Sequence, residues 1–214
     1  MAYQAVIWDF GGVVSTSPFD NFNSYEAERG LPKDFIRSVN ARNGDTNAWA
    51  KLERSEISAD AFDALFRAEA EALGHTVPGK DVLALLAGRL RPRVVDALKT
   101  CKTKGKIGCI TNNAPVGKGA SMTDDDARAA EVASVFALFD HVIESSKLGI
   151  RKPDPRIYAL MCEALDVEPS ACVYLDDLGI NLKPARTMGM TTIKVTSEDQ
   201  LLADLEAATG YAVA

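Results

Sequence analysis

The chain has 214 residues, 47% of them hydrophobic and 25% charged, with a net charge of −6 at pH 7 and a pI of about 5.0. This composition is ordinary for a globular protein and supplies enough apolar side chain for a core without disulfides or a structural metal. The acidic balance argues against nucleic acid or an anionic membrane as the main partner, and no apolar run nears the ~18 residues of a membrane span.

No secretory leader is read at the start, so the expected compartment is the cytoplasm. The expected partner is a small molecule, and the chain is read as a monomer or homodimer. The four cysteines, Cys101, Cys109, Cys162 and Cys172, form no CxxC pair and have no histidine at zinc-ligand spacing. They read as reduced, buried thiols.

The first predicted strand is Ala5–Phe10 (AVIWDF), a continuous apolar run rather than an alternating one. A strand covered on both faces has that pattern. About ninety residues without a strong strand signal follow. Within them, 15–87 reads as a helical insert (NSYEAERG, DTNAWAKLERSEI, SADAFDALFRAEAEALG). Ser58 with Asp60 is predicted to start a helix running to Leu73, with Gly74 ending it.

The next helix is Pro92–Lys104, with proline in its first turn and Gly105 beyond its end. The strand Ile107–Thr111 follows. Residues 114–125 (APVGKGASMTDD) are polar and turn-rich and read as a mobile loop with no phosphate role. Asp124 to Asp126 read as a solvated helix start. Helix Asp126–Phe136, strand His141–Ser145, helix Pro155–Leu165, strand Cys172–Asp176, helix Asn181–Met188, strand Thr192–Val195 and a last helix from Glu198 to Ala208 complete the chain. Strands alternating with helices predict an α/β fold, a three-layer, doubly wound parallel sheet. The core would comprise 1–14 and 88–214.

In such sheets ligands bind at the carboxyl ends of strands. Those ends carry Asp9, followed by Phe-Gly-Gly; Thr111 and Asn112; and the pair Asp176–Asp177, with Arg151-Lys152-Pro153 in a loop before a helix. A carboxylate attacking a phosphate ester is repelled by it. A divalent cation on oxygen ligands removes that repulsion. Asp9, Asp177 and a backbone carbonyl after Asp9 can supply such ligands. Lys152 adds a point cation, and the Thr111 hydroxyl with nearby N–H groups can hold phosphoryl oxygens. The Gly11-Gly12 pair lets the backbone come close to the transferring group. His75 and His141 are the only histidines, and neither has a serine or cysteine partner motif, so a hydrolytic triad is not expected. Trp8 and Phe10 are expected in the core.

Taken in order, WDFGGV, ITNN, RKPDP and YLDD resemble the four-motif signature of the haloacid dehalogenase superfamily, in its subfamily-IA-like form. IESSKLGIRKPDPRIY and YLDDLGINLKPARTMGMTTIKV further resemble the N-terminal phosphatase domain of soluble epoxide hydrolases and related acyl-CoA dehydrogenase-fused domains. The resemblance runs from Ala5 to Val195. It implies a Mg²⁺-dependent phosphatase for a small phosphorylated metabolite, working through an aspartyl-phosphate on Asp9. It also implies phosphate binding by Thr111, Asn112, Lys152 and Gly12, and metal binding by Asp9, the Gly11 carbonyl, Asp177 and Asp176. Lys152 would orient nucleophile and phosphate, Asn181 would lie near the metal shell, and 15–87 would be a small C1-type cap domain.

The sequence departs from the signature at one position. Phosphatases of this kind carry Asp-x-Asp in the first motif, whereas here the third position is Gly11. The missing carboxylate is the general acid–base, worth about 10²- to 10⁴-fold in rate. Asp20, Glu26 and Asp45 of the insert are candidate substitutes. Two alternatives stand beside the phosphatase: a dehalogenase cleaving carbon–halogen bonds, and a non-catalytic domain binding a phosphorylated ligand or partner.

Overall fold

The computed structural model describes residues 3–213; the outermost positions assigned to the core from sequence, 1, 2 and 214, lie outside this range. The elements in chain order are β1 (Ala5–Trp8), α1 (Pro18–Arg29), α2 (Phe35–Ala41), α3 (Ala48–Glu53), α4 (Ala59–Glu71), α5 (Gly79–Ala84), α6 (Pro92–Lys104), β2 (Lys106–Thr111), α7 (Asp126–Phe136), β3 (His141–Glu144), α8 (Ser145–Leu148), α9 (Pro155–Leu165), β4 (Cys172–Asp176), α10 (Gly179–Thr187), β5 (Thr191–Lys194) and α11 (Glu198–Thr209).

All five strands are parallel, in the order β3-β2-β1-β4-β5. The continuous apolar runs have the expected cause at the centre: β1 and β4 are buried along their whole length. The edge strands β3 and β5 are only partly buried. Side chains alternate across a sheet, so successive residues serve opposite layers. Val6, Trp8, Cys109, Val173 and Leu175 pack on one face against α6, α7 and α11. Ala5, Ile7, Ile110 and Tyr174 pack on the other against α9 and α10. This is the predicted three-layer α/β fold.

The chain departs from β1 leftward through β2 to β3, then returns to place β4 on the other side of β1. The order therefore reverses at β1, and a crevice opens there at the strands' carboxyl ends. Asp9 and Asp176–Asp177 stand at this switch point.

The strand predicted as Ala5–Phe10 ends at Trp8. The Asp9 carboxylate accepts the Phe10 N–H at 2.7 Å, and Ser15 N–H bonds the Phe10 carbonyl five residues back, closing a π-type turn over Phe10–Val14. Phe10 leaves the sheet and stacks on Phe136, ring centroids 4.3 Å apart. Trp8 and Phe10 are core residues, as expected. Ser145 starts α8 instead of ending β3.

Helices α1–α5 gather around their own apolar cluster, which includes Phe22, Phe35, Ile36, Leu52, Phe62 and Phe66. Ser58 caps α4 by accepting the Ala61 N–H, as its position predicts; α4 ends at Glu71, two residues short of the expected Leu73. The two chain segments that join this insert to the sheet layer run side by side. Ser15 bridges Leu90, Thr16 N–H donates to the Arg89 carbonyl at 2.8 Å, and Arg91 N–H donates to the Val14 carbonyl at 3.0 Å. The stretch 114–125 is anchored where sequence suggests a mobile loop. Ala114, Val116 and Met122 pack on the insert's cluster, and a short 3₁₀ turn covers Gly119–Ser121. Among the described residues no helix is long and apolar enough to cross a membrane.

Candidate active site

The site is built from strand ends. Asp9 follows β1, Thr111 closes β2, and Asp176 closes β4 with Asp177 after it. Lys152 arrives from the loop between α8 and α9, and its side chain is 1% exposed. Its ammonium lies 2.8 Å from Asp9 Oδ1 and 2.8 Å from Asp176 Oδ2. Burying an ammonium is expensive unless it is paired, and here it is paired twice. Burial alone would lower its pKa, but Asp176 and Asp9 outweigh that and hold it charged.

Asp9, Asp176 and Asp177 each offer an oxygen within 4.8 Å of the others, and the buried ammonium pairs with two of the three, Asp9 and Asp176. Burial and neighbouring charge together shift two of the three carboxyls, Asp9 and Asp177. Burial, with Asp176 and Asp177 adding, pushes Asp9 well above the usual carboxylate range, against the pull of Lys152. Burial and Asp176 push Asp177 up to about 6. Three crowded oxygen donors with unbalanced charge are what a hard divalent cation requires.

The two aspartates of the YLDD motif differ. Asp176 is fully buried. Its Oδ1 accepts from Leu178 N–H at 2.8 Å and Asn181 Nδ2 at 3.0 Å, and its Oδ2 accepts from Lys152, the Tyr174 hydroxyl and Asn181. Those bonds use the acceptor capacity of a carboxylate. Asp177 is only partly buried, and no described residue forms an ion pair or side-chain hydrogen bond with it. Asn181 therefore lies one bond behind the cluster, on Asp176.

Gly12 adopts φ +80°, and a β-carbon there would meet Asp177 Oδ2 at 2.2 Å. Its glycine is required twice, by the backbone angle and by the approach of the carboxylate. Gly11 is different. It has φ −68° and ψ 129°, an angle pair any residue adopts, and no heavy atom lies within 4 Å of where its β-carbon would stand.

Thr111 is buried at its strand end. The Asn112 side chain is tied to the loop that carries Lys152. Its Oδ1 accepts the Lys152 N–H at 2.9 Å and its Nδ2 donates to the Lys152 carbonyl at 3.1 Å. Both functional atoms of the side chain are thus committed to the lysine's backbone. Of the three insert carboxylates considered as acid–base substitutes, Glu26 is excluded by its bonds. Its two oxygens accept Asp34 N–H and Ile36 N–H at the start of α2. Asp20 and Asp45 are exposed. An insert side chain that does reach the strand-end motifs is that of Glu53, which sequence reasoning did not single out. It pairs with Arg151 and touches Asn112. Only the amphipathic run AWAKLE preceded it, and nothing there marks one of its charges as inward-facing.

A model of the haloacid dehalogenase-like hydrolases matches residues 3–189. The pig protein bifunctional epoxide hydrolase 2 is 32% identical over 98% of this chain and 39% of its own length. The first curated relatives are longer proteins, of which the chain spans 19% to 39%. Phosphatase MT3486 of Mycobacterium tuberculosis (strain CDC 1551 / Oshkosh) is 31% identical over 94% of this chain and 90% of its own. A solved haloacid dehalogenase family enzyme from Bacteroides thetaiotaomicron, in complex with magnesium and inorganic phosphate, superposes with a TM-score of 0.61 at 18% identity. The match covers 92% of this chain and 96% of that one. The parallel sheet, the four motifs at its carboxyl edge and these matches agree: the chain is a haloacid dehalogenase-like hydrolase.

Proposed function

We propose that this hydrolase is a Mg²⁺-dependent phosphatase that cleaves a small phosphorylated metabolite through an aspartyl-phosphate on Asp9. The observation that carries the reading is the cluster at the switch point of the sheet, in which three carboxylates crowd together and the Lys152 ammonium pairs with only two of them, Asp9 and Asp176. A whole-length relative named as a phosphatase supports the same chemistry.

Asp9 and Asp177, with the Gly11 carbonyl, would hold the Mg²⁺, and Asp176 would orient Lys152 and Asn181 behind them. Bound there, the cation screens the repulsion between the Asp9 carboxylate and the phosphoryl oxygens. The protein's own groups do the rest. Asp9 Oδ1 is held by Phe10 N–H and by Lys152, and no described residue hydrogen-bonds Oδ2. Oδ2 is the oxygen left to attack phosphorus. Lys152 Nζ and the Thr111 hydroxyl steady the phosphoryl oxygens, and Gly12 lets backbone N–H groups approach them. Water then attacks the phospho-aspartate, so one difficult displacement becomes two. The insert of residues 15–87 acts as a cap domain over the site.

With Gly11 in place of an aspartate, no group at that position protonates the leaving oxygen. The enzyme therefore favours leaving groups that depart as stable anions. The same absence suits a dehalogenase, whose halide needs no proton. The crowding of carboxylates favours the phosphatase, because a metal-free site gains nothing from uncompensated buried charge.

Turnover of p-nitrophenyl phosphate with Mg²⁺, with EDTA, and by Asp9→Asn separates the readings. Metal-dependent release of p-nitrophenol, lost in Asp9→Asn, is the expected result. Metal-independent halide release from a 2-haloacid would instead make it a dehalogenase, and absence of both would make it a binding domain.

A further inference from the structure

We propose that Glu53, carried by the helical insert, is a positioning residue for Lys152, so that the phosphoryl-transfer site is complete only with the insert seated. The proposal rests on the phosphatase reading above. Glu53 is the last residue of α3 and is buried. Its Oε2 accepts Arg151 Nε at 2.5 Å and Asn112 Nδ2 at 3.4 Å, and its Oε1 accepts Trp49 Nε1 at 2.9 Å.

Both core partners bear directly on Lys152. Arg151 is its neighbour in the chain. Asn112 holds its N–H and its carbonyl at 2.9 and 3.1 Å. The lysine so gripped then spans Asp9 and Asp176. One insert carboxylate therefore reaches, through two core residues, the backbone of the single ammonium in the site.

The contact is reinforced on both sides. Arg151 Nη1 donates to the Gly44 carbonyl at 3.0 Å, and the Ser55 hydroxyl donates to the Ser146 carbonyl at 2.6 Å. The insert thus grips the 146–151 stretch at three points. Burial pushes the Glu53 carboxyl up, while Arg151, Trp49 and Lys152 pull it down. Its engaged oxygens fit a fixed ion pair. A leaving-group acid needs an oxygen free to give a proton, so Glu53 does not stand in for the missing aspartate at position 11.

Replacing Glu53 by glutamine keeps its size and its Trp49 contact but leaves Arg151 half-buried without its counter-ion. Arg151 must then re-pair, drawing the Lys152 backbone with it. A displacement on the order of 1 Å at a catalytic group costs about 10²-fold in rate.

The test compares wild type, Glu53→Gln, Arg151→Met and the double variant on p-nitrophenyl phosphate at saturating Mg²⁺. Inorganic-phosphate affinity by calorimetry and Tm are measured on the same proteins. The expected result is a kcat loss of roughly 10- to 100-fold in each single variant, with KM within about threefold. The double variant should be no worse than the singles. A Glu53→Gln kcat within twofold of wild type, a loss carried wholly by KM, or single losses that multiply in the double variant overturns the proposal. If Glu53→Gln fails to fold, Arg151→Met decides alone, its kcat unchanged counting against and reduced at wild-type Tm counting for. A wild type that hydrolyses no phosphate ester defeats the phosphatase reading instead. Glu53 is then judged by phosphate affinity: weakened about tenfold in Glu53→Gln upholds it, and unchanged or absent binding overturns it.

Discussion

Gly12 lies against Asp177 so closely that a β-carbon on the glycine would stand 2.2 Å from the carboxylate oxygen. No rotamer of an added methyl escapes, because the β-carbon itself is the clash, so the carboxylate must move. The φ of +80° adds about 1–2 kcal/mol of backbone cost for any L side chain. Gly12→Ala is expected to lower Tm by about 2–8 °C and to weaken Mg²⁺ binding and turnover together. Calorimetry with a Mg²⁺ titration checks it; an alanine variant with unaltered Tm and metal affinity would show that Asp177 is not held where the glycine meets it.

Gly11 offers the opposite experiment. The space around its missing β-carbon is open and its backbone angles suit any residue. Gly11→Asp should therefore fold normally and supply an acid for the leaving oxygen. Its effect should scale with leaving-group pKa: little change on p-nitrophenyl phosphate, and a gain of roughly 10- to 100-fold on alkyl phosphates. Wild type should show a steep decline of rate with leaving-group pKa that flattens in the variant. Equal slopes would mean that another residue already supplies the proton.

Lys152→Met removes the ammonium shared by Asp9 and Asp176. Leaving buried carboxylates unpaired costs about 3–5 kcal/mol, so a large fall in Tm and loss of turnover are expected. The sign of the pH effect follows from protonation. Lys152 pulls the raised Asp9 carboxyl down, so without the lysine Asp9 rises further in the folded state, which then binds more protons than the unfolded chain. Stability lost in the variant should return as pH falls, narrowing the Tm gap to wild type between pH 8 and pH 5. A gap independent of pH would mean that the ammonium does not pull the Asp9 carboxyl down.

How far the sequence reveals this site follows from the range over which each cue acts. Runs such as CVYLD and KIGCIT disclose buried strands, because burial on both faces leaves its mark in adjacent residues. Proline at the starts of α6 and α9, and Ser58 at the start of α4, are equally local cues. Asp9, Lys152 and Asp177 are readable as a set only because strand ends share one edge. What escapes is commitment at a distance. The tie between the Asn112 side chain and the Lys152 backbone, forty residues away, is invisible in either segment alone. Glu53 and Arg151 are ninety-eight residues apart, and each resembles an ordinary surface charge in its own segment. Glu26 has the same disguise, since capping α2 is a tertiary fact.

The burial that, with Asp176 adding, raises Asp177 to about 6 also sets how the metal-free protein and Mg²⁺ respond to acid. An unfolded aspartate titrates near 4, so between about pH 4 and 6 the folded chain holds a proton that the unfolded chain has released. The contribution of this group to stability is thus fully present below the unfolded value and is lost as pH rises through 6. A cation needs the deprotonated form and cancels that loss. Through this group apparent Mg²⁺ affinity should therefore climb by up to about tenfold per pH unit below 6, with up to about one proton released per ion by Asp177 in the acid range. The Mg²⁺-induced rise in Tm should be small at pH 5 and large at pH 7.5. Calorimetric titration in two buffers of different ionisation heat counts the proton directly. A Mg²⁺ response equal at the two pH values, with no proton released, would separate Asp177 from the metal and leave the carboxylate cluster without the role assigned to it.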